Sequence, residues 1–178
     1  SINGYEITAF KVQHAVTCYG YSVNIPRIGK FDVNKAKQLN IPQNYWNKLQ
    51  HGATINHDGQ VYTPDMVVGE ARQGIKVTYC TDSRPVKSIS DNAKNSDLFI
   101  CEGMYGESGK EAKAKEYKHM TFKEAAGLAK EAQVKEMWLT HYSPSLVRPI
   151  DYIDSIKDIF PDVYAATDGR TAELIFKD

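Results

Sequence analysis

The sequence predicts an α/β fold: a mixed sheet with helices on its outer face. Three observations carry that expectation. Short apolar runs at 75–80, 98–101 and 137–140 are separated by helix-like segments, the alternation that gives neighbouring parallel strands covered by helices. Two opening stretches, 5–12 and 16–25, are rich in aromatic and β-branched residues and alternate like half-buried strands. The composition is globular, with 178 residues of which 42% are hydrophobic and 25% charged, enough apolar material for one sizeable core.

The elements follow in order. The link between the first two strands carries His14. Asp32 is placed to cap a short helix through Leu39, which ends before Ile41-Pro42 because a residue preceding proline avoids helical geometry. A second short helix covers 45–49. Asp58-Gly59 predicts a two-residue hairpin between 53–57 and 60–62, since both residues tolerate positive φ. Residues 64–74 read as a loop. After the run at 75–80 comes a helix near 87–94, and after 98–101 two helical stretches, 111–117 and 121–132. In the latter, Thr121 and Glu124 form a capping box, and Ala125, Leu128, Ala129 and Ala132 line one face. A helix around 150–159 and strands near 164–166 and 172–176 complete the pattern. The charge-dense stretch 107–118 alternates in sign and reads as a solvated face.

Composition also excludes. No apolar run approaches the ~18 residues of a membrane span. Lys+Arg and Asp+Glu both count 22, so net charge is zero and a wholesale basic footprint for nucleic acid is absent, though a local patch is allowed. Cys18, Cys80 and Cys101 are odd in number and form no CxxC pair, which favours free thiols in a reducing cytoplasm over a disulfide framework. The chain opens at Ser1 on strand-like sequence and reads as a stretch from inside a protein rather than a secretory leader.

Chemistry gathers where strands end. The runs at 75–80, 98–101 and 137–140 lead to Asp82, Glu102 and His141. Carboxyl ends of parallel strands share one edge of an α/β sheet, where sites are built, so two acids and a histidine there suggest a metal or acid–base site; ending strands in polar residues for solubility is the alternative. His14, between two strands, is either a ligand or a satisfied core histidine. His119, just before the capping box, is either a proton donor or acceptor or a surface residue. His51 and His57 lie in polar surroundings and read as surface residues.

The motifs themselves carry a resemblance. His14-Ala15-Val16-Thr17-Cys18-Tyr19-Gly20-Tyr21, Thr81-Asp82-Ser83-Arg84-Pro85, Cys101-Glu102-Gly103-Met104-Tyr105-Gly106, Lys118-His119-Met120-Thr121 and Leu139-Thr140-His141-Tyr142-Ser143-Pro144 follow one another in that order. Together they closely resemble the C-terminal half of ribonuclease Z, the metallo-β-lactamase-fold endoribonuclease that trims the 3′ end of precursor tRNA. The resemblance implies the C-terminal half of an αββα sandwich, a single partial domain over 1–178 with an arm-like insertion at about 27–52. It implies that His14 and His141 each ligate one of two zinc ions and that Asp82 bridges both. His119 would donate a proton to the leaving oxygen and Glu102 would orient it. The chemistry suits the residue types: imidazole and carboxylate are donors zinc accepts, and a pair of such ions makes hydroxide available near neutral pH.

Two departures qualify the expectation. The family's His-x-His-x-Asp-His motif is nowhere in the sequence, so the ligand set for two zinc ions is incomplete and the chain alone is expected to be inactive. The family's Gly-Pro arm motif is also missing. The corresponding stretch offers Arg27, Lys30, Lys35, Lys37 and Lys48 against Asp32, with Tyr45 and Trp46 interleaved either to stack on bases or to pack a short helix. Precursor tRNA is the expected substrate; a small or cyclic nucleotide phosphodiester, or a non-catalytic interaction module, are the alternatives. Half of a layered sandwich leaves a sheet face uncovered, so self-association, as a homodimer, is expected.

Overall fold

The computed structural model describes residues 4–177. Along the chain run β1 (Glu6–Lys11), β2 (Tyr19–Arg27), α1 (Val33–Gln38), α2 (Trp46–Gln50), β3 (Ile55–His57), β4 (Gln60–Tyr62), β5 (Arg72–Cys80), α3 (Lys87–Ala93), β6 (Leu98–Glu102), α4 (Glu111–Tyr117), α5 (Phe122–Ala132), β7 (Met137–Thr140) and β8 (Val163–Ala165). They divide between a larger unit, Ser1–Ile25 with Ile75–Ile175, and a smaller one, chiefly Pro26–Gly74.

Six strands form one sheet in the order β1-β2-β5-β6-β7-β8. β1 and β2 are antiparallel, whereas β5 through β8 are successively parallel. The sheet is therefore mixed, and its parallel strands end on one edge at Cys80, Glu102 and Thr140. Cys80, Cys101, Leu139 and Ala165 stand in register across that edge.

Helices α3 and α5 pack on each other and on the sheet. The small residues foreseen on α5, Ala125 and Ala129, are fully buried, which brings the helix backbone close to the strands. Phe99, Phe122, Met137 and Leu139 fill the layer between, each burial contributing roughly 1.5–3 kcal/mol. The Thr121–Glu124 capping box is present in full, satisfying helix N–H groups that would otherwise be orphaned. Ser22 and Thr78 share a hydrogen bond of 2.8 Å beneath α3, so both face the helices. Their neighbours Tyr21 and Tyr79 therefore point the other way, and both are exposed.

In the smaller unit, Asp32 caps α1 by accepting from the Lys35 N–H at 2.9 Å. β3 and β4 form the hairpin at Asp58-Gly59, both with positive φ. Ala36, Ile41, Leu49, Tyr62 and Val67 make a core of its own. That core holds together the unit from Pro26 to Gly74, since the hairpin and the following turn supply Tyr62 and Val67.

Three local expectations are corrected. The helix expected around 150–159 is a shorter one of 3-10 type over Pro149–Ile156, where Ile153 and Ile156, three apart, fall on one buried side. The loop at 64–74 holds a 3-10 turn at Pro64–Met66 and the first residues of β5. Residues 172–176 form no strand; their alternation supplies faces but no partner ladder, and most of them are exposed. Among the described residues no helix is long and apolar enough to cross a membrane.

Candidate functional site

Four loops at one edge of the larger unit bring the candidate residues together. Val12 N–H donates to the Cys18 carbonyl, closing the loop that presents His14 between β1 and β2. Asp82 lies two residues beyond β5 and His141 one residue beyond β7. Both adopt left-handed backbone geometry, φ 52° and 57°. Aspartate and histidine accept that conformation better than bulkier residues, and it turns their side chains back over the strand ends. Lys118, the αL residue that ends α4 at φ 60°, makes the same kind of turn before His119.

Ligand atoms of His14, Asp82 and His119 all lie within 4.8 Å of one another. The His14 and His119 ring centroids are 4.9 Å apart, and those of His119 and His141 5.4 Å. His141 Nε2 approaches Asp82 Oδ1 to 2.9 Å but off the line of a hydrogen bond. The nitrogen is sealed from solvent and has no hydrogen-bond partner. His14, Asp82, His119 and His141 thus meet in one cluster.

Outer contacts fix the rings. His14 Nδ1 lies 3.1 Å from the Lys118 carbonyl, so Nδ1 carries the proton and Nε2 the lone pair. His119 Nδ1 lies 3.1 Å from Glu102 Oε2. Glu102 is fully buried and also accepts from the backbone N–H groups of Ser83 and of Met120, the latter at 3.1 Å. Burial pushes the Glu102 carboxyl up to about 7, against the pull of those two N–H donors. Burial, and then the neighbouring imidazoles of His14 and His141, lowers His119 from the usual histidine range, with Asp82 opposing.

Such an arrangement fits a divalent cation. A buried nitrogen without a hydrogen-bond partner, an adjacent carboxylate, and a histidine whose other ring N–H is tied to a backbone carbonyl are the features of a ligand set with its outer support. An open cavity of about 740 Å³ begins at His141 and continues along Tyr79, Thr81, Tyr142 and Arg148. The remaining histidines lie outside the cluster, in the smaller unit: His51 Nδ1 bonds the Asn47 carbonyl at 2.8 Å, and His57 bonds Tyr45 at 3.2 Å.

Sequence reasoning singled out His14, Asp82, Glu102, His119 and His141, and passed over Ser83 and Arg84. Their signal was the segment Thr81-Asp82-Ser83-Arg84-Pro85 itself, in which only the aspartate received a role.

No family model matches the chain. Relatives do. It is 74% identical to the ribonuclease Z of Lachnospira eligens over 178 residues, all of this chain and 59% of that protein. It is 60% identical to the ribonuclease Z of Agathobacter rectalis over 175 residues, 98% of this chain and 58% of the relative. The chain thus spans less than two thirds of the length of the curated relatives it matches. Among solved structures, a metallo-β-lactamase fold protein of Bacillus subtilis superposes with a TM-score of 0.62 at 22% identity, over 97% of this chain and 51% of that one. Human tRNase Z, short form, gives 0.59 at 18% identity, over 99% of this chain and 46% of its own. These likenesses establish a metallo-β-lactamase fold, of which this chain carries about half the length of each neighbour.

Proposed function

We propose, for a chain that matches ribonuclease Z along its whole length, that it supplies one share of a metal-dependent phosphodiesterase site acting at the 3′ end of precursor tRNA. The observation that carries this reading is the convergence of His14, Asp82, His119 and His141 at one sheet edge, with His119 backed by a buried acid.

In this reading His14 offers Nε2, Asp82 its carboxylate and His141 its buried Nε2 to zinc. When bound, a pair of such ions makes hydroxide available near neutral pH and stabilises charge on phosphoryl oxygens. His119 stands outside the ligand set as the proton donor. Its Nδ1–H is held by Glu102, so its Nε2 faces the cluster and delivers a proton to the departing 3′ oxygen. Glu102, on the Nδ1 side, orients the ring, and the proton that Nε2 gives up is replaced from the hydrolytic water.

Support for a polyanionic substrate comes from the smaller unit, where Lys30, Lys35, Lys37 and Lys48 are exposed. Tyr45 and Trp46 contribute differently: both pack on that unit's core, and the Trp46 indole donates to the Ile41 carbonyl at 2.9 Å. Phosphate contact by lysines, without stacking by these two rings, is therefore the mode of binding. Three free thiols suit the cytoplasm. Self-association completes the reading. The sheet face away from α3 and α5 exposes Ile7, Tyr19, Tyr21, Tyr79 and Tyr164, each over 40% accessible. A monodisperse monomer by light scattering at high concentration would refute that last step.

The main test is a chimera. This chain replaces the matching stretch of the L. eligens relative, and the product is assayed on precursor tRNA. Cleavage is expected, and His119→Ala is expected to slow it about 10²–10⁴-fold, the usual weight of a general acid. A folded but inert chimera overturns the reading. The chain by itself is expected to hold fewer than two tight zinc equivalents by calorimetry and to leave RNA intact.

A further inference from the structure

Arg84 lies two residues beyond Asp82, and its contacts reach three of the four loops of the cluster. Its backbone N–H donates to the Gln13 carbonyl at 2.9 Å, and the Gln13 N–H donates to Ser83 Oγ at 3.1 Å, so the loops of His14 and Asp82 are laced together. Its guanidinium donates from Nη1 to the His119 carbonyl and grips both Glu124 oxygens as a fork. Glu124 in turn accepts from the Thr121 N–H at 2.9 Å as the acid of the α5 capping box. Neither charged side chain is on the open surface; they are 13% and 24% exposed.

We infer that Arg84 is a positioning residue, which sets the rings of His14 and His119 against Asp82 by holding the Lys118-His119 turn. The geometry is specific. Lys118 is left-handed, so two consecutive carbonyls leave the turn toward different loops. The Lys118 carbonyl meets His14 Nδ1, and the His119 carbonyl meets Arg84. Loosening Arg84 therefore frees the turn from one side and the His14 ring from the other. Guanidinium is the group for this task, because a planar fork can hold a carboxylate with two N–H bonds while a nitrogen also reaches a carbonyl; an ammonium has no such fixed span. The Arg84–Glu124 pair also joins this turn to the start of α5, whose buried face anchors it to the core.

The catalytic consequence rests on the proposed roles of His14 and His119, but the positioning is testable without metal or RNA. The experiment records ring-nitrogen spectra of ¹⁵N-histidine-labelled chain as wild type, Arg84→Gln, Arg84→Lys and Glu124→Gln. In Arg84→Gln the His14 and His119 resonances are expected to shift, while His51 and His57 in the smaller unit stay in place. Arg84→Lys is expected to give intermediate shifts, since it keeps the charge and one of the two contacts. A folded Arg84→Gln chain with His14 and His119 unmoved overturns the inference, as does equal movement of all the histidines. Should Arg84→Gln not fold, Glu124→Gln decides: smaller shifts in the same two rings support the inference, and unchanged rings refute it. If the chimera described above cleaves RNA, Arg84→Gln within it should lower kcat with KM little changed, and Arg84→Lys should restore part of the loss. If the chimera is inert, the ring spectra still stand, so the two readings fail separately.

Discussion

Replacing Glu102 by glutamine probes the centre of the site with a change of one atom. The buried carboxylate receives three donors: the Ser83 N–H on Oε1, and the Met120 N–H and His119 Nδ1 on Oε2. Glutamine offers one oxygen and one NH₂. If its oxygen takes the Oε2 position, the NH₂ faces the Ser83 N–H; in the other orientation it faces the Met120 N–H and forces His119 into its other tautomer. Either way one buried backbone N–H is left unpaired against another donor. That omission costs about 1–3 kcal/mol. For a chain of this size the midpoint should fall by about 2–12 °C.

The two tryptophans make the measurement local. Trp138 lies beside Ile100 of β6, two residues from Glu102, and Trp46 lies in the smaller unit. In a Trp46→Phe background, Trp138 fluorescence reports the larger unit alone, and urea unfolding should show the loss there. Glu102→Ala, which strands all three donors and empties the space, should cost more than glutamine. A glutamine variant within about 0.5 kcal/mol of wild type would behave like a surface change. That result, or an alanine variant milder than glutamine, refutes the claim that this carboxylate organises the site.

Other expectations follow from the same packing. Gly103→Ala would place a Cβ 2.8 Å from the Phe122 ring and 3.0 Å from Leu139; overpacking of about 1–3 kcal/mol is expected by urea unfolding. Burial raises Glu124, but its hydrogen bonds with Arg84 and Thr121 prevail and hold its carboxyl below the usual range. With the folded value depressed, its stabilisation is complete above the unfolded value near 4.5 and is lost as pH falls through the folded one. The stability gap between wild type and Glu124→Gln should accordingly shrink on acidification, and a gap constant from pH 7 to pH 3 would contradict the pairing. Burial pushes the Cys80 thiol up to about 12 and raises Cys101 well above its ordinary range. Native protein at pH 8 should therefore react with a disulfide reagent at the half-exposed Cys18 alone, the other two thiols following only on unfolding.

What could be read from sequence was whatever one segment decides for itself. The Asp32 cap, the Asp58-Gly59 hairpin and the Thr121–Glu124 box each depend on side-chain-to-backbone geometry within a few residues, and each is present as expected. The centre of the parallel sheet was legible for a related reason: β6 and β7, buried almost throughout, write themselves as unbroken apolar runs. Residues 172–176 failed because a strand needs a neighbour, and alternation does not provide one. The helix at Pro149–Ile156 was legible but its 3-10 type was not, because Ile153 and Ile156 satisfy a period of 3 and one of 3.6 alike over so short a span.

The site divides in the same way. His14, Asp82, Glu102, His119 and His141 could be named because chemistry-bearing residues stood at strand ends and within recognisable segments. Arg84 could not, since its meaning lies wholly in partners far along the chain: Gln13, His119 and Glu124. An arginine beside an aspartate reads locally as a charge on a loop. Only the fold turns it toward a carbonyl at the end of a left-handed turn, and that is why the residues that arrange a site are harder to read than those that form it.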